Sequence, residues 1–109
     1  MTNLEYHVLL ALAQGPLYGY AIKVAIETES DGTLTPPAGS MYRVLARLID
    51  WGLVEETAPP GAVEPHPGLA RRYYGLTREG RGALATEAHR LKGAARLAEK
   101  RLRTAQERP

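Results

Sequence analysis

The sequence predicts a mainly α fold in which three short helices and a β-hairpin make a small body and a long fourth helix leaves it. Three observations carry that expectation. Apolar residues recur at helical spacing in four separate stretches, each opened by a capping residue or closed by Gly or Pro. Two short segments rich in Val, Thr and Tyr flank a Pro/Gly-rich stretch, as in a hairpin. The third is a charge asymmetry. Residues 1–70 hold three basic side chains against eight acidic ones, and residues 71–109 hold eleven against four.

The 109 residues suffice for one domain with a modest core, which a partner subunit covering more apolar surface would help. There is no cysteine, so disulfides and thiolate metal sites are excluded. "MTNLEYHVLLALAQGP" has no basic leader, and its apolar run is too short for a signal peptide or a membrane span. The expectation is a soluble, cytoplasmic chain.

The first helix starts at a capping box, Thr2 with Glu5 three residues on, and runs to Gly15-Pro16. Leu4, Val8, Leu9 and Leu12 give it a core face. The second is expected over about Tyr18 to Glu29, with Leu17, Tyr20, Ala21, Val24 and Ala25 on its buried side and Ser30-Asp31-Gly32 as its stop. The third starts near Thr35 as cap, with Pro36 at the first helical position, and ends at Gly52. "LVEET" and "ARRYYGL" read as strands, and "APPGAVEPHPG" between them as loop. The fourth helix opens at Thr77. Its Leu84, Ala88, Leu91, Ala95, Ala98 and Leu102 are spaced 4, 3, 4, 3, 4, an a/d seam. The first turns of that seam are expected to dock on the body and the rest to cross to a second copy. Residues 1–76 would then be the working domain and 77–109 the dimerisation helix.

Three helices, two strands and a further helix is the order of a winged helix-turn-helix. The third helix has two unlike faces. At about 100° per residue, Met41, Val44, Leu45 and Leu48 fall within an arc of about 100°. Pro36, Ser40, Arg43 and Arg47 share an arc of about 60° centred about 120° away. One face suits a core and the other a partner. Arginine's planar fork binds phosphate bidentately or grips guanine in the major groove, which admits a helix. Recognition helices read bases mainly from their N-terminal residues, so Ser40 and Arg43 are candidates for base edges and Arg47 for base or phosphate. Arg71 and Arg72, at the start of the second strand, are candidates for phosphate contact. Tyr42 is a packing residue with its hydroxyl satisfied locally or on a phosphate. Tyr20 and Tyr74 are read as core, and Trp51 as half-buried and structural.

The sequence also resembles a known family. "LEYHVLLALAQGPLYGYAI" is similar to its opening helix and Gly-Tyr-containing second helix, "GSMYRVLARLIDWGLVEE" to its Gly-(Ser/Thr)-x-Tyr-x-x-Leu recognition helix, and "RRYYGLTREGR" to its Tyr-x-Leu-Thr-x-x-Gly wing exit. These are motifs of the PadR family of bacterial transcriptional regulators, and the match runs from about Leu4 to Leu91. The resemblance implies a homodimeric repressor of the short form that binds an inverted-repeat operator in double-stranded DNA and is released by a signal. It implies a small-molecule effector without identifying it. The loop from Thr57 to Gly68 is longer than the family pattern.

An enzyme fits poorly. His7, His66 and His89 form no i, i+4 pair, and no nucleophile–base set, metal motif or cofactor-binding pattern is present. The alternative is a winged helix that binds protein, which an acidic third helix would have favoured. This one is basic.

Overall fold

The computed structural model describes residues 1–59 and 71–107. The elements run α1 (Asn3–Leu12), β1 (Leu17–Tyr18), α2 (Gly19–Glu29), α3 (Ala38–Asp50), β2 (Val54–Thr57), β3 (Tyr73–Leu76) and α4 (Arg78–Glu107). The three strands form an antiparallel sheet in the order β1-β3-β2, with Val54 opposite Leu76 and Leu17 opposite Tyr74. The fold is the expected three helices, hairpin and long helix, with one added strand. The expected Pro/Gly-rich loop lies largely outside the described residues.

One core binds the body together. Val8, Leu9 and Leu12 of α1, Ile22 and Ile26 of α2, and Met41, Val44, Leu45 and Leu48 of α3 meet Val54 and Tyr74 from the sheet. The four α3 residues are the ones the helical arc selects. On α2 the expected face is corrected. Ile22 and Ile26 are buried with Gly19, while Tyr20 is 65% exposed and Val24 is also exposed. The two stripes differ by a rotation of one or two residues, and the one carrying both isoleucines buries more apolar area. Leu17 and Tyr18 are drawn into β1 instead of the helix, which is why the helix starts at Gly19.

The start of α3 is corrected as well. Its cap is Pro37, with no side-chain hydrogen bond to the first turn. Thr35 and Pro36 precede the helix, and Pro36 is buried. Two consecutive prolines hold the chain extended up to Pro37, since each disfavours helical geometry in the residue before it. The other end closes as a Schellman turn. Gly52, at φ 75°, donates to the Ile49 carbonyl and Leu53 to that of Leu48, both at 2.9 Å.

This corner also fixes the start of α4. The Thr77 hydroxyl donates to the Gly52 carbonyl at 2.6 Å and accepts from the Gly80 amide at 3.0 Å, while the Thr77 amide donates to the Leu53 carbonyl at 3.2 Å. A Cβ on Gly80 would collide with that same carbonyl. The absence of a side chain at Gly80 therefore lets the first turn of α4 sit against the α3–β2 corner. Beyond it, Ala83 and Leu84 pack on the core.

One buried carboxylate joins α1 to α3. Glu5 Oε1 accepts from the Thr2 amide at 2.7 Å and the Thr2 hydroxyl accepts from the Glu5 amide at 3.1 Å, completing the expected capping box. Glu5 Oε2 accepts from Arg47 Nε at 2.9 Å. The carboxylate is 4% exposed and the guanidinium 44%. Burial pushes the Glu5 pKa up, but the Thr2 amide and the Arg47 guanidinium outweigh it and hold it below the ordinary value.

Arg47→Ala should lower stability by on the order of 1–3 kcal/mol, towards the lower end because the guanidinium is partly solvated. The lowered Glu5 pKa supplies stability that is present above its unfolded value of about 4.3 and is lost as pH falls through the folded value. Urea unfolding followed by circular dichroism should thus show part of the loss below about pH 4 disappear in Glu5→Gln. An unchanged acid limb in that variant would remove the assignment. Gly80→Ala should destabilise by on the order of 1–3 kcal/mol through overpacking, although helix propensity alone would favour alanine by about 1 kcal/mol. A urea midpoint equal to or above that of the parent would contradict the close approach.

Candidate nucleic-acid interface

With Met41, Val44, Leu45 and Leu48 committed to the core, helical geometry sends Tyr42, Arg43 and Arg47 outward, and all three are exposed. Ser40 is partly buried at the start of the same face. Arg43 Nη2 donates to Ser40 Oγ at 3.2 Å, one turn apart, which holds the guanidinium along the helix toward its N-terminus. That contact reduces the side-chain freedom lost on binding a planar acceptor.

Arg47 is placed differently. It sits on the arginine face, but its Nε is committed to Glu5 and its guanidinium carbon lies 5.7 Å from the centroid of the Trp51 ring. Its remaining donors face solvent, so it is a structural residue with spare hydrogen-bonding capacity. Trp51 is more exposed than expected and forms one side of that stack. Pro36, expected on this face, is buried before the helix begins and offers it nothing.

The wing supplies the second half of the surface. Arg71 and Arg72 are exposed immediately before β3. The Arg71 guanidinium carbon lies 4.5 Å from the Tyr18 ring centroid, a cation–π contact. Arg72 Nε lies 3.9 Å from Glu56 on β2, an exposed pair of little energetic weight. Together with Tyr42, Tyr74 and the first turn of α2, the two arginines line an open hollow of about 670 Å³. Burial pushes the Tyr74 phenol pKa up, with Tyr42 and Glu56 adding and Arg72 opposing.

The structure thus brings Tyr42 to one hollow with Arg71 and Arg72, keeps Ser40 and Arg43 together on the outward face of α3, ties Arg47 to Glu5 and buries Pro36 before the helix. The wing tip lies outside the described residues. The sequence reading did not find that Gly19 belongs to this surface. A Cβ there would collide with the Tyr42 hydroxyl, so the Gly-Tyr pair of the second-helix motif was the available signal.

On α4 the seam divides. Leu84 and Ala88 are partly buried, while Leu91, Ala95, Ala98 and Leu102 are exposed on the described chain, Leu102 at 66%. Among the described residues no cluster of three His, Asp or Glu could hold a metal, and no helix is long and apolar enough to cross a membrane.

Over 82 residues the chain is 45% identical to an uncharacterised 37.1 kDa protein in transposon TN4556 of Streptomyces fradiae, covering 75% of this chain and 21% of that protein. It is similar in structure to a PadR family transcription regulator from Clostridium difficile, with a TM-score of 0.74, 22% identity and coverage of 93% and 99% of the two chains. It is also similar to Bacillus subtilis PadR solved in complex with operator DNA, with a TM-score of 0.65, 24% identity and coverage of 80% and 47%. The model of the transcriptional regulator PadR-like family matches residues 8–86. The chain belongs to the PadR-like family of transcriptional regulators.

Proposed function

We propose that the chain represses transcription by binding an inverted-repeat DNA operator as a homodimer, with residues 1–76 as the DNA-binding unit, residues 77–109 as the dimerisation helix, and a small molecule or other signal releasing it. It works in the cytoplasm and catalyses no reaction. The observation that carries this reading is the solvent-facing Arg43, held by Ser40 at the N-terminal end of α3, where a helix lying in the major groove meets base edges. Arg71 and Arg72 flank it as positioning charges, since most protein–DNA hydrogen bonds go to the backbone. The neighbour from B. subtilis was solved on operator DNA, which supports the same use of this fold here.

Arg47 contributes by holding α3 against α1 and, through its free donors, reaches a phosphate. Dimerisation rests on the part of the α4 seam that the body leaves uncovered, from Leu91 to Leu102. A two-fold pair would present two copies of α3 about one turn of DNA apart, roughly 34–36 Å.

Selecting bound fragments from random-sequence DNA tests the whole reading, and an enriched palindrome is the expected result. Arg43→Ala should cost on the order of 1–3 kcal/mol on the selected sequence and relax preference at one position in each half-site. Equal affinity of variant and parent in a gel shift at physiological salt would take base reading away from Arg43.

Leu91→Glu should give a monomer by sedimentation at micromolar concentration, because two carboxylates would meet near a two-fold axis among alanines too small to offset their desolvation. The same variant should no longer shift the selected DNA. A dimer that persists places the interface elsewhere, and a monomer of undiminished affinity removes the two-fold operator.

A further inference from the structure

We propose that Glu5 and Trp51 sharpen the sequence preference of the DNA-binding face by pinning Arg47, so that this arginine meets DNA only in the register that Arg43 selects. The inference rests on the DNA-binding reading and adds to that surface two positioning residues, which act through Arg47.

Arg47 lies one turn after Arg43 on the outward face of α3, yet the two are held by unlike means. Arg43 is tied by one hydrogen bond to the neutral Ser40 hydroxyl in an exposed setting, and can leave it at little cost. Arg47 donates from Nε to Glu5 Oε2 at 2.9 Å, and that carboxylate is 4% exposed. Pulling the guanidinium away strands a buried charge, which costs more than one solvated ion-pair contact returns. Arg47 therefore stays where Glu5 puts it.

The carboxylate cannot follow a departing arginine, because its two oxygens serve two different elements. Oε1 accepts from the Thr2 amide at 2.7 Å in the cap of α1, which leaves Oε2 for α3. Trp51 limits the remaining freedom. It closes α3 with its amide donating to the Arg47 carbonyl at 3.0 Å, and its ring centroid lies 5.7 Å from the guanidinium carbon. The residue is 55% exposed, too open to anchor the core, and it flanks the guanidinium instead.

A carboxylate behind a cation weakens raw attraction to a polyanion. What the arrangement returns is discrimination. A pinned arginine meets its acceptor when α3 sits in one register and misses it in others, whereas a mobile one finds a phosphate on any sequence.

Glu5→Gln, Trp51→Ala and Arg47→Ala are compared with the parent on a selected fragment and on random DNA across a salt series, with circular dichroism as the folding control. Glutamine offers one acceptor oxygen in place of two, so it cannot serve Thr2 and Arg47 as the carboxylate does. Affinity of Glu5→Gln for random DNA should rise, and the slope of log K against log salt there should steepen by about 0.9 for each protomer in contact. Its affinity for the selected fragment should fall by about twofold to tenfold, the cost of ordering one long side chain on binding. Trp51→Ala should narrow the preference in the same direction without changing the charge of the protein, and it carries the test if Glu5→Gln does not fold. In an Arg47→Ala background neither substitution should alter the ratio of the two affinities.

A purely structural role weakens both DNAs by one factor. That result, or an unchanged ratio in either variant, overturns the proposal, while a defective Arg43→Ala in the same series keeps the DNA-binding reading. A ratio that narrows in Glu5→Gln equally with Arg47 absent is a plain effect of net charge and overturns it too. A parent that prefers no sequence in the selection removes the reading and the proposal together.

Discussion

The orientation of α3 is the constraint on which the rest of the surface depends. Four of its thirteen residues are fixed in the core, and at about 100° per residue a shift of one position would carry Arg43 toward the protein interior and Met41 into water. Packing sets this rotation coarsely, because neighbouring apolar stripes compete on any short helix. The Glu5–Arg47 pair sets it more finely. A buried carboxylate that also belongs to the cap of α1 accepts only a donor arriving at one point on α3. Breaking that pair leaves a buried charge short of a partner, which makes a slipped register expensive.

The same economy governs the glycines of the matched motifs. Gly19 lets the Tyr42 phenol reach the helix end, and Gly80 lets α4 begin against the Leu53 carbonyl. Gly52 supplies the left-handed turn that points Leu53 there. The Gly-Tyr and Leu-Thr-x-x-Gly signatures are therefore two contacts between elements distant in sequence, and Gly52 is the turn from α3 into β2. Thr77 shows how closely they are linked: one hydroxyl caps α4 and ties it to the carbonyl of Gly52, 25 residues away.

How much of this was legible follows from the range of the forces involved. The capping box at Thr2, the stop at Gly52, the core face of α3 and the start of α4 were readable because each is settled within about one turn of helix. The burial of Pro36 and the loss of Thr35 as a cap were not, because two prolines in a row satisfy the local rule for a helix start and the tertiary path decides which one is used. The exposed Tyr20 has a similar origin. The apolar stripes of α2 are close in strength, and β1 removes Leu17 and Tyr18 from one of them by pairing with a strand more than fifty residues on. Arg47 was placed on the correct face but not on its partner, since no spacing rule links it to a glutamate 42 residues earlier.

The long helix extends the argument from shape to charge. Measured from the seam, Lys92, Arg96, Lys100 and Arg103 fall between about 80° and 160° around α4. The basic side chains of the electropositive third of the chain are thus kept off the apolar seam. A seam half made of alanine buries little area per residue, so in the proposed dimer close approach of the two helices would matter more than bulk, and like charges in the contact would be poorly tolerated. The body also fixes where such a contact can begin. Leu84 is already held by the core and Leu91 is the first exposed leucine of the seam, so the spacing between two DNA-reading helices would be set by the same corner at Gly52, Leu53 and Gly80 that fixes the start of α4.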